Sequence, residues 1–217
     1  MNEPLYLSRL VLDARSRRVQ RELANPYELH RTIMGAFSAD CRKEGERVLY
    51  RVDPLPAETA LALLVQSRGV PDWEFLRTEP GARGYLADGW GENPALKRFV
   101  PRFEAGQVLA FRLRANPTVR RGGKRLGLLR EEEQLAWLRR KGEAAGFEPL
   151  RVQVCQEQIV AGTLRRDEAV HRLKLLSVRF DGCLRVRDPV RLAEAMAAGI
   201  GSGKGFGFGL LSLARVP

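Results

Sequence analysis

Leu5-Tyr-Leu-Ser-Arg-Leu-Val-Leu12, then Asn25-Pro-Tyr-Glu28 leading into an apolar face of Leu29, Ile33, Ala36 and Phe37, then Arg47–Val52 and Ala60–Ser67, is the run that decides the fold. The first segment alternates apolar and polar positions, as a half-buried strand does. Asn25 is a capping residue, Pro26 suits the first helical position, and Glu28 stands where a capping box places its carboxylate. The apolar spacing that follows predicts a helix to about Lys43. Two strands come next, with Asp53-Pro-Leu-Pro56 turning between them, and a fourth is expected somewhere in Phe75–Leu86. Strand, helix, strand, strand at this length predicts a split βαβ, or ferredoxin-like, domain.

Working outward, Asp13–Leu23 reads as a basic connector. Gly81–Pro101, rich in Gly and Pro, reads as a linker. The layout then repeats. A strand at Val108–Ala115 leads to a basic loop and a helix at Glu131–Ala145. Strands follow near Leu150–Ile159 and Val170–Phe180, with a short one at Cys183–Val186. Asp188-Pro189 opens a helix to about Ala198, and Leu210–Val216 closes as a strand. The expectation is an α+β chain of two tandem ferredoxin-like (RRM-like) domains, residues 1–90 and 101–217. It rests on element order and length, because no residue-level repeat joins the halves.

Composition narrows the partner. The 217 residues carry a net charge of +11, and residues 101–217 hold 22 basic and 12 acidic side chains against 15 and 14 in residues 1–100. The second half therefore supplies most of the attraction for a polyanion. Only six of the 37 basic residues are lysine, and arginine pairs with phosphate bidentately and stacks on bases. No run of 18 apolar residues exists, so no membrane span is expected, and the N-terminus lacks the layout of a secretory signal. A cytoplasmic location follows as an expectation. Cys41, Cys155 and Cys183 are odd in number and far apart, which predicts separate thiols and no structural metal or disulfide framework.

Tyr27 and His30 share one face of the first helical turns, where free N–H groups favour a phosphate. Cutting RNA through its own 2′-hydroxyl needs a base for that hydroxyl and an acid for the leaving 5′-oxygen. Imidazole serves either role near neutral pH, and a phenol assists. A lone histidine on a helix is weak by itself, since it equally continues a solvated surface. The segment Gly199-Ile-Gly-Ser-Gly-Lys-Gly-Phe-Gly-Phe-Gly-Leu-Leu is more specific. It is neither a P-loop nor a dinucleotide loop, and alternate glycines let backbone approach another chain and offer N–H groups to phosphate, with Lys204 as the charged member. The alternative is a hinge with Phe206 and Phe208 in the core. From Arg112 to Arg130 there are seven basic residues and no acid, among them Arg112, Arg114, Arg120, Arg121, Lys124 and Arg125. Arg165-Arg166, between two strands, sits at a hairpin tip that suits an RNA groove.

The segments Gly201–Leu213, Phe111-Arg-Leu-Arg-Ala-Asn-Pro117, Glu133-Gln-Leu-Ala-Trp-Leu-Arg139 and Tyr27-Glu-Leu-His30 resemble CasE, the repeat-RNA endoribonuclease family of type I-E CRISPR systems. The resemblance runs in order over nearly the whole chain. It implies tandem ferredoxin-like domains and cleavage at the base of a repeat hairpin without a metal or other cofactor. The implied products carry a 2′,3′-cyclic phosphate and a 5′-hydroxyl. It also implies retention of the cut hairpin and assembly with other Cascade subunits. The family's tyrosine and histidine correspond to Tyr27 and His30, its groove-entering basic hairpin to Arg165 and Arg166, and a serine of some relatives to Ser38. Some relatives have a basic residue where this chain has Gly35, and Arg31 or Lys204 are the candidates to replace it. A non-catalytic crRNA-binding subunit of the same fold, or a general RNA chaperone, is the alternative reading.

Overall fold

A computed structural model of the chain describes residues 3–38, 47–56, 59–166 and 169–216, with the backbone alone at 158, 161–166 and 169–173. The first half contains β1 (Leu5–Asp13), α1 (Arg17–Ala24), α2 (Pro26–Gly35), β2 (Leu49–Pro54), β3 (Ala60–Ser67), a short helix α3 (Phe75–Thr78) and β4 (Ala95–Phe99). The second contains β5 (Val108–Ala115), β6 (Thr118–Arg121), β7 (Lys124–Gly127), α4 (Glu131–Ala144), β8 (Phe147–Arg166), β9 (Ala169–Val186), α5 (Pro189–Ala198), a 3-10 turn (Lys204–Phe206) and β10 (Leu211–Arg215). The two main sheets run β4-β1-β3-β2 and β10-β5-β9-β8, with every neighbouring pair antiparallel. Counting strands within each main sheet, both orders are 4-1-3-2. The chain is two ferredoxin-like domains in tandem.

Three expectations need correction. The fourth strand of the first sheet is Ala95–Phe99, inside the stretch read as a linker, and Phe75–Leu86 supplies helix α3 instead. As an edge strand, β4 pairs only with β1, and its middle residues are exposed, so neither composition nor period betrays it. The basic connector is helix α1, whose Arg17 and Arg21 face water while Val19 and Glu22 are buried. The basic loop after β5 is a hairpin: β6 and β7 pair Arg120 with Arg125 across the two-residue turn Gly122-Gly123, both at positive φ as a type I′ turn requires. Helix α2 ends at Gly35, and residues 39–46, with Cys41, lie outside the described residues. Cys155 and Cys183 are free thiols.

Each sheet packs its helices over one core. In the first domain Leu10, Leu12, Ile33, Tyr50, Leu63 and Trp73 gather between sheet and α2. In the second, Leu109, Phe111 and Leu113 of β5 alternate inward to meet Trp137, Phe147 and Phe180. Both helix caps stand where the sequence predicts them: Asn25 accepts from the Tyr27 N–H (3.3 Å), and Asp188 accepts from those of Val190 (3.0 Å) and Arg191 (3.1 Å).

The domains are joined by buried polar contacts. Arg51 on β2 pairs with Asp53 at 2.9 Å and donates to Ser212 Oγ (2.9 Å) and the Leu210 carbonyl (3.4 Å) across the seam. Gln66 donates to the Met196 carbonyl at 2.8 Å. Leu49 fills the space beside Gly199, where an added Cβ would come within 2.6 Å of it. The seam fixes the first domain's α2 against the second domain's glycine-rich loop.

Candidate active site

Helix α2 carries His30 toward that seam. His30 is half-buried, and a Cβ placed on Gly205 would lie 3.9 Å from both its Cε1 and Nε2. The imidazole therefore rests against the glycine-rich loop at its one alternate glycine without a positive φ. Gly199, Gly201, Gly203, Gly207 and Gly209 all adopt positive φ, so the alternation encodes a fixed path and no loose hinge.

Tyr50 ties the two elements together. Its hydroxyl lies 3.0 Å from the Gly205 carbonyl and 3.3 Å from that of Pro26, the first residue of α2. Its ring stacks near His30, with centroids 6.3 Å apart and planes inclined by 21°. Burial pushes the Tyr50 hydroxyl well above its ordinary pKa, so it stays a protonated donor. Nδ1 of His30 is buried and has no hydrogen-bond partner among the described residues. Burial lowers the imidazole pKa below its ordinary value of 6.5, so the free ring is neutral at pH 7 and free to take a proton. Among the described residues no three His, Cys, Asp or Glu side chains come together.

Lys204 precedes Gly205 in the loop and has no ion-pair partner among the described residues. Burial first, then Arg47 and Lys141, lower its pKa from the ordinary 10.5. A lysine next to Gly205, with two more cations near enough to disfavour its charge, suits an anionic guest. A second cleft of about 440 Å³ runs beneath α2 between the domains, lined by Pro26, Leu29, Tyr50, Arg114, Ile159 and Phe206.

A family model described as CRISPR associated protein matches residues 5–215 of the chain. The chain belongs to this CRISPR-associated family. It is 38% identical to the "CRISPR-associated endoribonuclease Cse3" of Thermus thermophilus, over 97% of this chain and 100% of that one. It is 29% identical to the "CRISPR system Cascade subunit CasE" of Escherichia coli, over 97% and 99%. A solved structure of CRISPR endoribonuclease Cse3 bound to 19 nt RNA superposes with a TM-score of 0.82 at 38% identity, covering 99% of this chain and all of that one. Cas6e from Escherichia coli superposes with a TM-score of 0.68 at 26% identity, over 97% of this chain and 100% of that one.

Within this CRISPR-associated protein the expected site residues separate into groups. His30 and Lys204 meet at the α2–loop junction, and Tyr27 stands three residues before His30 at the start of the same helix. Arg31 turns away from it. It pairs with Glu28 at 3.3 Å and lines, with Arg18, Arg21 and Gly35, an open groove of about 860 Å³ on the far side of α2. A Cβ at Gly35 would meet the Phe75 ring at 3.4 Å, so a longer side chain there needs that ring to give slightly. Ser38 is exposed just past α2. Arg120, Arg121, Lys124 and Arg125 stand exposed on the β6–β7 hairpin. The side chains of Arg165 and Arg166 lie outside the described residues. Their backbones pair with Val170 and Ala169, at the far end of the long β8–β9 hairpin.

Arg112 and Arg114, read as RNA contacts, are both engaged by carboxylates. Arg112 pairs with Asp181 at 2.6 Å and approaches Asp53 across the seam at 3.8 Å. Arg114 donates to Glu157 (2.6 Å) and Ser177 (2.8 Å), and its guanidinium lies 5.3 Å from the Phe208 ring centroid. Strand β5 aims both at carboxylates of the opposite strands, an arrangement that charge counting along the chain does not reveal. Conversely, Tyr50, Arg47, Lys141 and Ser202 escape a reading of the sequence. Tyr50 looks like an ordinary strand aromatic, and its bond to Gly205 spans 155 positions.

Proposed function

We propose that this chain is a metal-independent endoribonuclease that cuts CRISPR precursor RNA at the base of the repeat stem-loop and keeps hold of the hairpin within Cascade. The observation that carries this is the imidazole of His30 resting on Gly205, beside the cation of Lys204, at a junction built from both domains. In this reading neutral His30 takes the proton of a ribose 2′-hydroxyl. The resulting alkoxide attacks the adjacent phosphorus, the bond to the 5′-oxygen breaks, and that oxygen is protonated with Tyr27 as donor or orienter. The products are a 2′,3′-cyclic phosphate and a 5′-hydroxyl. Lys204 provides the positive charge that Gly35 does not, and neutralises the charge growing at phosphorus.

The deciding experiment incubates the protein with repeat RNA in EDTA. One discrete cut is expected, and none on the same RNA carrying a single 2′-deoxy group at that position. Binding without any cut would instead favour a crRNA-holding subunit, the reading that Gly35 keeps open. Equal binding to unstructured RNA would favour a chaperone.

The lowered pKa of His30 sets the direction of the pH dependence. kcat/KM reports the free enzyme, so it should be constant near pH 7 and fall as pH drops through a midpoint below 6.5. A midpoint at or above 6.5 contradicts a desolvated base.

Arg165 and Arg166 are proposed to clamp the stem from the hairpin tip. Replacing both with alanine should weaken hairpin binding and reduce the slope of log K against log salt by about one unit for each phosphate no longer neutralised. An unchanged slope would show that this tip touches no phosphate.

A further inference from the structure

We propose that the cleft between the β6–β7 hairpin, the last turn of α4 and the start of the glycine-rich loop holds a phosphodiester of the single strand flanking the cut. This deepens the ribonuclease reading and depends on it. The cleft measures about 260 Å³ and is lined by Asn116, Thr118, Arg120, Arg125, Lys141 and Ser202, with Trp137 also in its wall. No carboxylate lines it. That distinguishes these cations from Arg112, Arg114 and Arg179, each of which already holds an acid at the seam. Among the described residues Arg120, Arg125 and Lys141 form no ion pair, so their charge is available to a guest.

Ser202 adds a second, independent sign. Its Oγ is covered and has no hydrogen-bond partner among the described residues. Buried hydroxyls are nearly always satisfied, so one left over beside a cationic cleft suits a ligand oxygen. The cleft floor is also built. Gly201 lies so close to the stacked Trp137 that a Cβ there would come within 3.1 Å of the indole, which fixes the backbone on either side of Ser202.

The path of the loop relates the cleft to the chemistry. Ser202 and Gly205 are three residues apart, so they are separated by no more than about 11 Å. Gly205 faces the His30 ring, and Lys141 lies near enough to Lys204, between the two places, to disfavour its charge. A phosphate in the cleft is therefore a near neighbour of the scissile linkage along one strand. The cleft takes one backbone phosphate, and because the stem is assigned to the tip of the β8–β9 hairpin, the guest here is the unpaired strand.

The test uses the whole protein and hairpins blocked by a 2′-deoxy group at the mapped cut. One hairpin ends just past the cut, one carries an added 5′ single strand, and one an added 3′ single strand. The exposed pair Arg120→Ala/Arg125→Ala should bind one extended hairpin about tenfold more weakly than the parent protein does, while the short hairpin is held equally by both. The affected extension names the strand. Loss on the short hairpin, loss on both extensions, or loss on none overturns the inference. Absence of any cut in the unblocked RNA by the parent protein overturns the ribonuclease reading itself.

Discussion

Replacing His30 with alanine is expected to abolish cleavage while the hairpin stays bound almost as tightly as before. A positioned acid or base contributes about 10²–10⁴-fold to a rate, and the site offers no second imidazole to take over. His171, the other histidine, lies on β9 opposite Leu164, far along the hairpin from α2. The fold should tolerate the change. Nδ1 of His30 has no partner among the described residues to be orphaned, and the substitution removes only packing against Gly205 and the ring stacking on Tyr50. An aromatic pair of this kind contributes about 0.5–1.5 kcal/mol. Affinity, by contrast, is proposed to come from arginines of the second domain, which the substitution does not touch. Single-turnover cleavage and gel-shift binding on the same RNA separate the two effects. Ordinary turnover by the alanine variant removes His30 from the mechanism. A collapse of binding would instead make it an RNA contact.

How far the sequence leads is clearest at the residues around this histidine. The start of α2, the Asp188 cap and the alternation of β5 are local signals, and each is found where local spacing puts it. Glu22 shows the limit. It reads as one more charge in a basic connector, yet its carboxylate is buried. It accepts from Thr32 (2.8 Å), Arg18 (3.0 Å) and Tyr85 (2.6 Å), binding α1 to α2. A buried carboxylate needs partners from distant segments, and periodicity carries no information about them. β4 is illegible for the opposite reason: it is a strand by backbone pairing alone, with little side-chain burial to mark it. The proposed catalytic pair is legible because Tyr27 and His30 lie one helical turn apart. The parts that complete the site, Tyr50 and the Gly205 carbonyl, meet only after both domains have folded.

That dependence makes Arg51 the residue whose loss should cost most in stability. Its side chain is 3% exposed, and it reaches across the seam, holding Asp53 in its own domain and Ser212 and Leu210 in the other. Burial pulls its pKa down and Asp53 pulls it back up; the guanidinium stays charged, and the pair keeps that buried charge compensated. Changing Arg51 to methionine keeps much of the volume but strands Asp53, whose remaining cation, Arg112, stands 3.8 Å away and is already engaged by Asp181. Breaking a buried pair from one side costs about 3–5 kcal/mol. At this chain length that lowers Tm by roughly 6–20 °C. If the penalty is an uncompensated charge, adding Asp53→Asn should recover part of it, because removing both members of such a pair costs less than removing one. Cleavage should also slow in the single variant below its melting range, since the seam holds His30 against Gly205. A Tm within a degree or two of the parent protein would mean that Gln66, Leu49 and the apolar packing hold the domains together without the ion pair.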